Sequence, residues 1–93
     1  MIVGVCRIEL YLHDNHSIKG KRQVLRKIKD RIKHQFNVSI AEVDYNDKWQ
    51  RASLGVAIVS NDHHHAYQAL EKVVTQIDRM YVAEIVDYHI ELL

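Results

Sequence analysis

From residue 2 to residue 12 apolar and mixed positions alternate. Ile2, Gly4, Cys6, Ile8, Leu10 and Leu12 fall on one face, and Val3, Val5, Arg7, Glu9 and Tyr11 on the other. A period of two with one uniformly apolar face predicts a half-buried strand. After the polar stretch His13-Asp14-Asn15-His16 the period changes. Val24, Leu25, Ile28, Ile32 and Phe36 recur at helical spacing and form one stripe, with Ser17 placed to cap the helix start. Asn37 is expected to close this helix, because asparagine tolerates the left-handed conformation. Val38 to Tyr45 then read as a second strand, Asn46-Asp47-Lys48 as a turn, and Trp49 to Ser60 as a third strand. The short polar connection predicts an antiparallel hairpin. Ser60-Asn61-Asp62 precede a second helix with the stripe Ala66, Leu70, Val73, Ile77 and Met80 or Tyr81. Val82 to Leu93 alternate again and complete a fourth strand.

The order β-α-β-β-α-β is the ferredoxin-like, split βαβ arrangement of an α+β protein. Right-handed crossovers predict an antiparallel sheet of order 4-1-3-2 with both helices on one face. The chain of 93 residues is expected to form one domain, residues 1–93. The other sheet face is left open. Val3, Val5, Gly55, Ala57 and Val59 make that face small and apolar, which predicts a contact with another sheet. Val3, Val5, Val59 and Trp49 are therefore the expected protein interface, and a homodimer the expected assembly.

Charge sharpens the picture on the first helix. Eight of the 13 Lys and Arg residues lie between Lys19 and Lys33, with Asp30 as the single acid among them, about +7 locally. The formal net charge of +1 hides this segregation. A local positive stripe captures phosphates or an acidic protein even on a near-neutral molecule. Lys19, Lys21, Arg22, Arg26, Lys29 and Lys33 are the expected contacts to nucleic acid or to an acidic partner. The alternative is a solvated face neutralised by the eleven acids elsewhere in the chain.

Other chemistry changes little. Hydrophobic residues make up 47% and charged residues 27%, and no run of 18 apolar residues predicts a membrane span. The first twelve residues lack a basic leader and read as a strand, not a signal peptide. Cys6 is alone, which excludes an internal disulfide and points to a reducing cytoplasm. It reads as a small core residue. His63-His64-His65 opens the second helix, and consecutive helical residues diverge by about 100°. Three such imidazoles do not converge on one metal, and a set such as His13, His16 and His89 has no supporting motif, so neither a metal nor a cofactor is expected. Glu42, Asp44 and Asp47 beside Lys48, Trp49, Gln50 and Arg51 read first as cross-strand charge pairs of a hairpin. The exposed Trp49 equally suits a partner, and acid–base work by the carboxylates is the remaining reading.

Three strings carry a family pattern: His16-Ser17-Ile18-Lys19-Gly20-Lys21-Arg22, Phe36-Asn37-Val38-Ser39-Ile40-Ala41-Glu42-Val43-Asp44, and Trp49-Gln50-Arg51-Ala52-Ser53-Leu54-Gly55-Val56-Ala57. Together they resemble the bacterial YlxP-like family, domain of unknown function 503, over nearly the whole chain. The usual helix start of that family has Leu and Glu where this chain has Ile18 and Gly20. Gly20 weakens the first helical turn by up to roughly 1 kcal/mol. The resemblance implies a ferredoxin-like fold and no established activity. Genes of the family lie beside those of translation initiation and ribosome maturation factors in many bacteria, which implies an RNA setting. The expected function is a small non-enzymatic binding module, an RNA- or ribosome-associated accessory factor acting through its basic helix. The alternatives are a homodimeric protein-interaction module without nucleic acid, and a small-ligand binder or enzyme.

Overall fold

A computed structural model describes residues 1–93. Strand β1 (Ile2–Tyr11) leads to helix α1 (Ile18–Gln35), strands β2 (Ser39–Asp44) and β3 (Arg51–Ser60), helix α2 (His63–Asp78) and strand β4 (Glu84–Leu92). The sheet order is β2-β3-β1-β4, with every neighbouring pair antiparallel, so the expected ferredoxin-like topology is the observed one. No helix is long and apolar enough to cross a membrane.

Alternation along β1 and β3 produces the core. Cys6, Ile8, Leu10 and Leu12 of the first strand and its exit meet Ala52, Leu54, Val56 and Ile58 of β3 on one face. Helix α1 adds Leu25, Ile28 and Ile32, and α2 adds Ala66, Leu70, Val73, Val74 and Ile77. Ser17 Oγ accepts from the Gly20 amide at 2.9 Å and the Asp62 carboxylate from the His65 amide at 3.0 Å. Each cap satisfies an amide that the first helical turn leaves without a partner.

Several element ends differ from the sequence reading, and β2 is one residue shorter at each end. Phe36, not Asn37, closes α1, in an extended conformation with φ −132°. Its ring turns inward against the core, and that burial overrides the left-handed ending expected at Asn37. The left-handed residues are Tyr45, at the β2–β3 turn, and Tyr81, after α2. Strand β3 starts at Arg51, so Trp49 belongs to the turn, and β4 starts at Glu84, two residues later than its apolar pattern.

Candidate functional site

The cations of α1 divide by helical phase. Lys21, Leu25, Ile28 and Ile32 follow one another at spacings of four, three and four, and all four are buried. Arg22, Arg26, Lys29 and Lys33 repeat the same spacing one position later, on the adjoining face. That second row lines a groove of about 360 Å³ along the edge strand β2, bounded also by Leu25, Asp30 and Glu42. Lys19 is exposed at the first turn, and Lys27 and Arg31 are exposed outside the groove. Only Lys21, among the eight α1 cations, forms an ion pair. The other seven have no ion-pair partner, although Asp30 and Glu42 stand in the groove wall.

Lys21 is the correction to the expected set of surface contacts: it is 0% exposed. Its ammonium donates to the carbonyls of Tyr45 at 2.7 Å, Arg51 at 3.2 Å and Asn46 at 3.5 Å. Glu42 Oε2 lies 2.9 Å from the same ammonium, as an ion pair. The pair is held by Coulomb attraction, with little water to screen it. An ammonium with three carbonyl partners and a carboxylate is a satisfied buried charge. It fastens the start of α1 to both arms of the β2–β3 hairpin.

A second clamp joins the β1–α1 loop to the same hairpin. Asn15 Nδ2 donates to the carbonyls of Ser17 and Trp49. The Leu12 amide donates to the Gln50 carbonyl at 2.8 Å, and Gln50 Nε2 returns a bond to the His13 carbonyl at 3.1 Å. Gly20 belongs to this arrangement, since a Cβ there would stand 2.3 Å from Asn15 Oδ1. The glycine that weakens the helix makes room for the asparagine that ties down the loop. His13 pairs with Glu84 at the start of β4, while His89 sits opposite Arg7 in the sheet.

The open sheet face is not uniformly apolar. Its centre is a charged lattice: Arg7 donates to Glu9 Oε1 at 2.8 Å and to Asp44 Oδ2 at 3.1 Å, and Ser53 Oγ donates to Glu9 Oε1 at 2.8 Å. Hydrogen bonding to Glu9, with Asp44 beside it, raises the Arg7 pKa above its ordinary value. Val43 covers Gly55, where a Cβ would come within 2.8 Å of Val43 Cγ1. The expected interface set is divided by this lattice. Val3 and Val5 pair with Val59 and Ala57 at one end of the sheet, and Val59 is 66% exposed. Trp49, 56% exposed, lies at the opposite end beyond the first residue of β3. Eight residues of β3, Arg51 to Ile58, separate Trp49 from Val59, roughly 26 Å of strand.

Burial pushes the Cys6 thiol up to about 11, with the nearby Glu71 charge adding to the effect. A thiol so held is a poor nucleophile at neutral pH. Tyr88 OH donates to Glu71 Oε2 at 3.2 Å, and Glu71 raises both the Tyr67 and Tyr88 phenols.

Comparison with known proteins adds the following. Residues 3–90 match the family described as "Protein of unknown function (DUF503)". The chain is 40% identical over 77 residues to the "Uncharacterized protein YlxP" of Bacillus subtilis (strain 168), covering 83% of this chain and 84% of that one. Among solved structures, the de novo designed protein Foldit4 superposes with a TM-score of 0.58 at 14% identity, over 99% of this chain and 94% of that chain. A C-terminal segment of the alpha subunit of aIF2 from Pyrococcus abyssi gives 0.53 at 16% identity, over 98% of this chain and 48% of that chain. At such identities the two structures share the fold and nothing more.

Proposed function

The chain belongs to the DUF503 family, and from that premise we propose that it is a small non-enzymatic binding module that holds the phosphate backbone of RNA on helix α1. One observation carries the reading. Seven of the eight α1 cations have no ion-pair partner, and Arg22, Arg26, Lys29 and Lys33 converge on a single groove. Unpaired cations on one face are the form of a phosphate-binding surface, because each contact releases condensed counterions. The row from Arg22 to Lys33 extends roughly 16 Å along the helix, enough to follow a backbone through several phosphates. Any phosphate backbone meets this charge pattern, and the RNA setting that the family resemblance implies makes a ribosomal RNA segment the first target to test.

Titration of labelled ribosomal RNA fragments at 50 and 200 mM salt tests this. Four phosphate contacts to a single strand give a slope near −3 in log affinity against log salt, a loss of roughly fiftyfold over that interval. Arg22→Glu combined with Arg26→Glu weakens binding by a factor that is independent of RNA sequence, since phosphate contacts position without specifying. Negligible binding by wild type and double variant alike removes RNA from consideration and leaves an acidic protein as the partner of α1.

A second reading, a homodimer, is favoured by the in-register pairs Val3–Val59 and Val5–Ala57 on the open sheet face. Light scattering then gives about twice the 10.9 kDa chain mass, and Val59→Asp returns it to one chain. A single-chain mass at every micromolar concentration rules the dimer out.

A further inference from the structure

Trp49 is the one tryptophan of the chain, and its indole makes no hydrogen bond and stacks on no aromatic or cationic group of the fold. Its backbone, by contrast, is tightly held. The Trp49 carbonyl accepts from Asn15, and the next residue, Gln50, is bound to Leu12 and His13. A large flat side chain is thus presented to solvent on a rigid support. It borders a shallow hollow of about 440 Å³ whose other walls are Tyr11, Asp47, Lys48, Gln50 and Arg51. The hollow's neighbours are also fixed. Tyr11 packs edge-on against His13 with ring centroids 4.5 Å apart, and its hydroxyl donates to Gln50 Oε1 at 3.4 Å. The Arg51 guanidinium lies 4.5 Å over the Tyr45 ring, while Lys48 has no ion-pair partner. Two cations therefore flank an unstacked indole, with Asp47 as the only acid in the wall.

The hollow and the α1 groove share no wall residue, but one buried side chain bears on both. Lys21, whose ion-pair partner Glu42 lines that groove, donates to the carbonyl of Arg51, which lines the hollow. A buried joint connects the two surfaces.

We propose that the Trp49 hollow is a base-stacking subsite: an unpaired nucleotide of the RNA lies on the indole, with its flanking phosphates on Lys48 and Arg51. The inference rests on the α1 reading and goes further, since it specifies single-stranded RNA, a loop or an end, over duplex. Every base has a π-face, so stacking on an aromatic is tolerant of sequence. In a duplex that face is already covered by neighbouring bases, and the nucleotide reaches the indole only after unstacking.

The single tryptophan is its own reporter. Emission from native protein is followed during titration with a twelve-nucleotide oligouridylate, with a blunt RNA duplex of equal strand length, and with poly-glutamate. The oligouridylate quenches Trp49 and binds at least fivefold more tightly than the duplex. Trp49→Ala, which lacks the reporter and is followed by the anisotropy of end-labelled RNA, weakens the single strand roughly tenfold, as loss of one stacked base does, and leaves duplex affinity unchanged. Trp49→Phe, followed in the same way, keeps most of the single-strand affinity, and Lys48→Glu lowers it. Circular dichroism of both Trp49 variants confirms that the fold is intact. Equal affinity for single strand and duplex, unchanged by Trp49→Ala, overturns the subsite and leaves the α1 reading standing. Failure of wild type to bind either RNA overturns both. Quenching by poly-glutamate and not by RNA overturns the subsite and assigns the hollow to an acidic protein.

Discussion

Helix α1 buries Lys21, Leu25, Ile28 and Ile32, whereas α2 buries Ala66, Leu70, Val73, Val74 and Ile77. Both cover the same face of the same sheet. Helix α2 carries Glu71, Lys72 and Asp78 between its ends, a mixture of signs, and its Glu71 is occupied with two tyrosines. Helix α1 carries eight cations and one acid. A narrow core stripe leaves most of α1's circumference free for charge. The buried Lys21 compensates for the missing apolar residue by gripping the hairpin. One helix is therefore committed to packing, and the other holds the fold through a single stripe while displaying a charged surface.

The largest test of that contrast is at Lys21. Lys21→Met leaves the Glu42 carboxylate poorly solvated and three carbonyls without their donor, and is expected to cost about 3–5 kcal/mol in urea unfolding. Arg26→Ala, on the exposed row, is expected to change stability by no more than about 0.5 kcal/mol. Similar small values for both would mean that the Lys21 joint does not hold α1 in place.

Core truncations come next and should not distinguish the helices. Ile28→Ala in α1 and Leu70→Ala in α2 each remove a fully buried side chain and are expected to cost roughly 2–4 kcal/mol. A cost below about 0.5 kcal/mol at either site would show that its stripe is not packed as described.

Charge reversal then separates them again. Arg22→Glu with Arg26→Glu is expected to reduce RNA affinity at least tenfold while leaving the unfolding midpoint nearly unchanged. Lys72→Glu with Arg79→Glu, on α2 and its C-terminal cap, is expected to change affinity less than threefold, with only a small general effect of net charge. Filter binding at one salt concentration decides. Equal losses from the two pairs would make the attraction a property of total charge and not of the α1 groove.

The smallest effect concerns the sheet under α2. The Cys6 thiol is raised from 9.0 to about 11 by burial and by Glu71. Between those values the unfolded chain has lost the proton that the folded chain keeps, so stability falls as pH rises through that window. Cys6→Ala should flatten that slope when unfolding is measured from pH 8 to 11. The tyrosines raised by Glu71 act in the same direction and are common to both proteins. An unchanged slope would assign the whole dependence to them.

Much of the fold was legible in periodicity, because β1, β3 and both helices bury one face each and their apolar positions record it. The same record contained the fate of Lys21, which shares the phase of Leu25, Ile28 and Ile32. Its charge led to a surface placement, although a long side chain on a core row at a helix start reaches the carbonyls of a neighbouring turn. The clamp of Asn15, Gln50 and His13 left no periodic signal, since it joins a loop to a turn 34 to 37 residues away. By sequence the open face reads as small and apolar, from Val3, Val5, Gly55, Ala57 and Val59. The charged lattice at its centre depends on Asp44 crossing from β2 to Arg7, and a bulge between Glu42 and Asp44 decides where that carboxylate falls.

Taken by itself, the sequence determined the element order, the sheet topology, the core faces and the concentration of charge on one helix. Each of these follows from local spacing and from the handedness of short connections, which act within a few residues. Tertiary structure alone decided which cations remain unpaired, that Lys21 leaves the surface, that the apolar and tryptophan ends of the open face lie far apart, and that Trp49 stands unstacked beside Lys48 and Arg51. Those properties depend on which distant groups come within hydrogen-bonding or Coulombic reach, and only strand register and helix docking fix that.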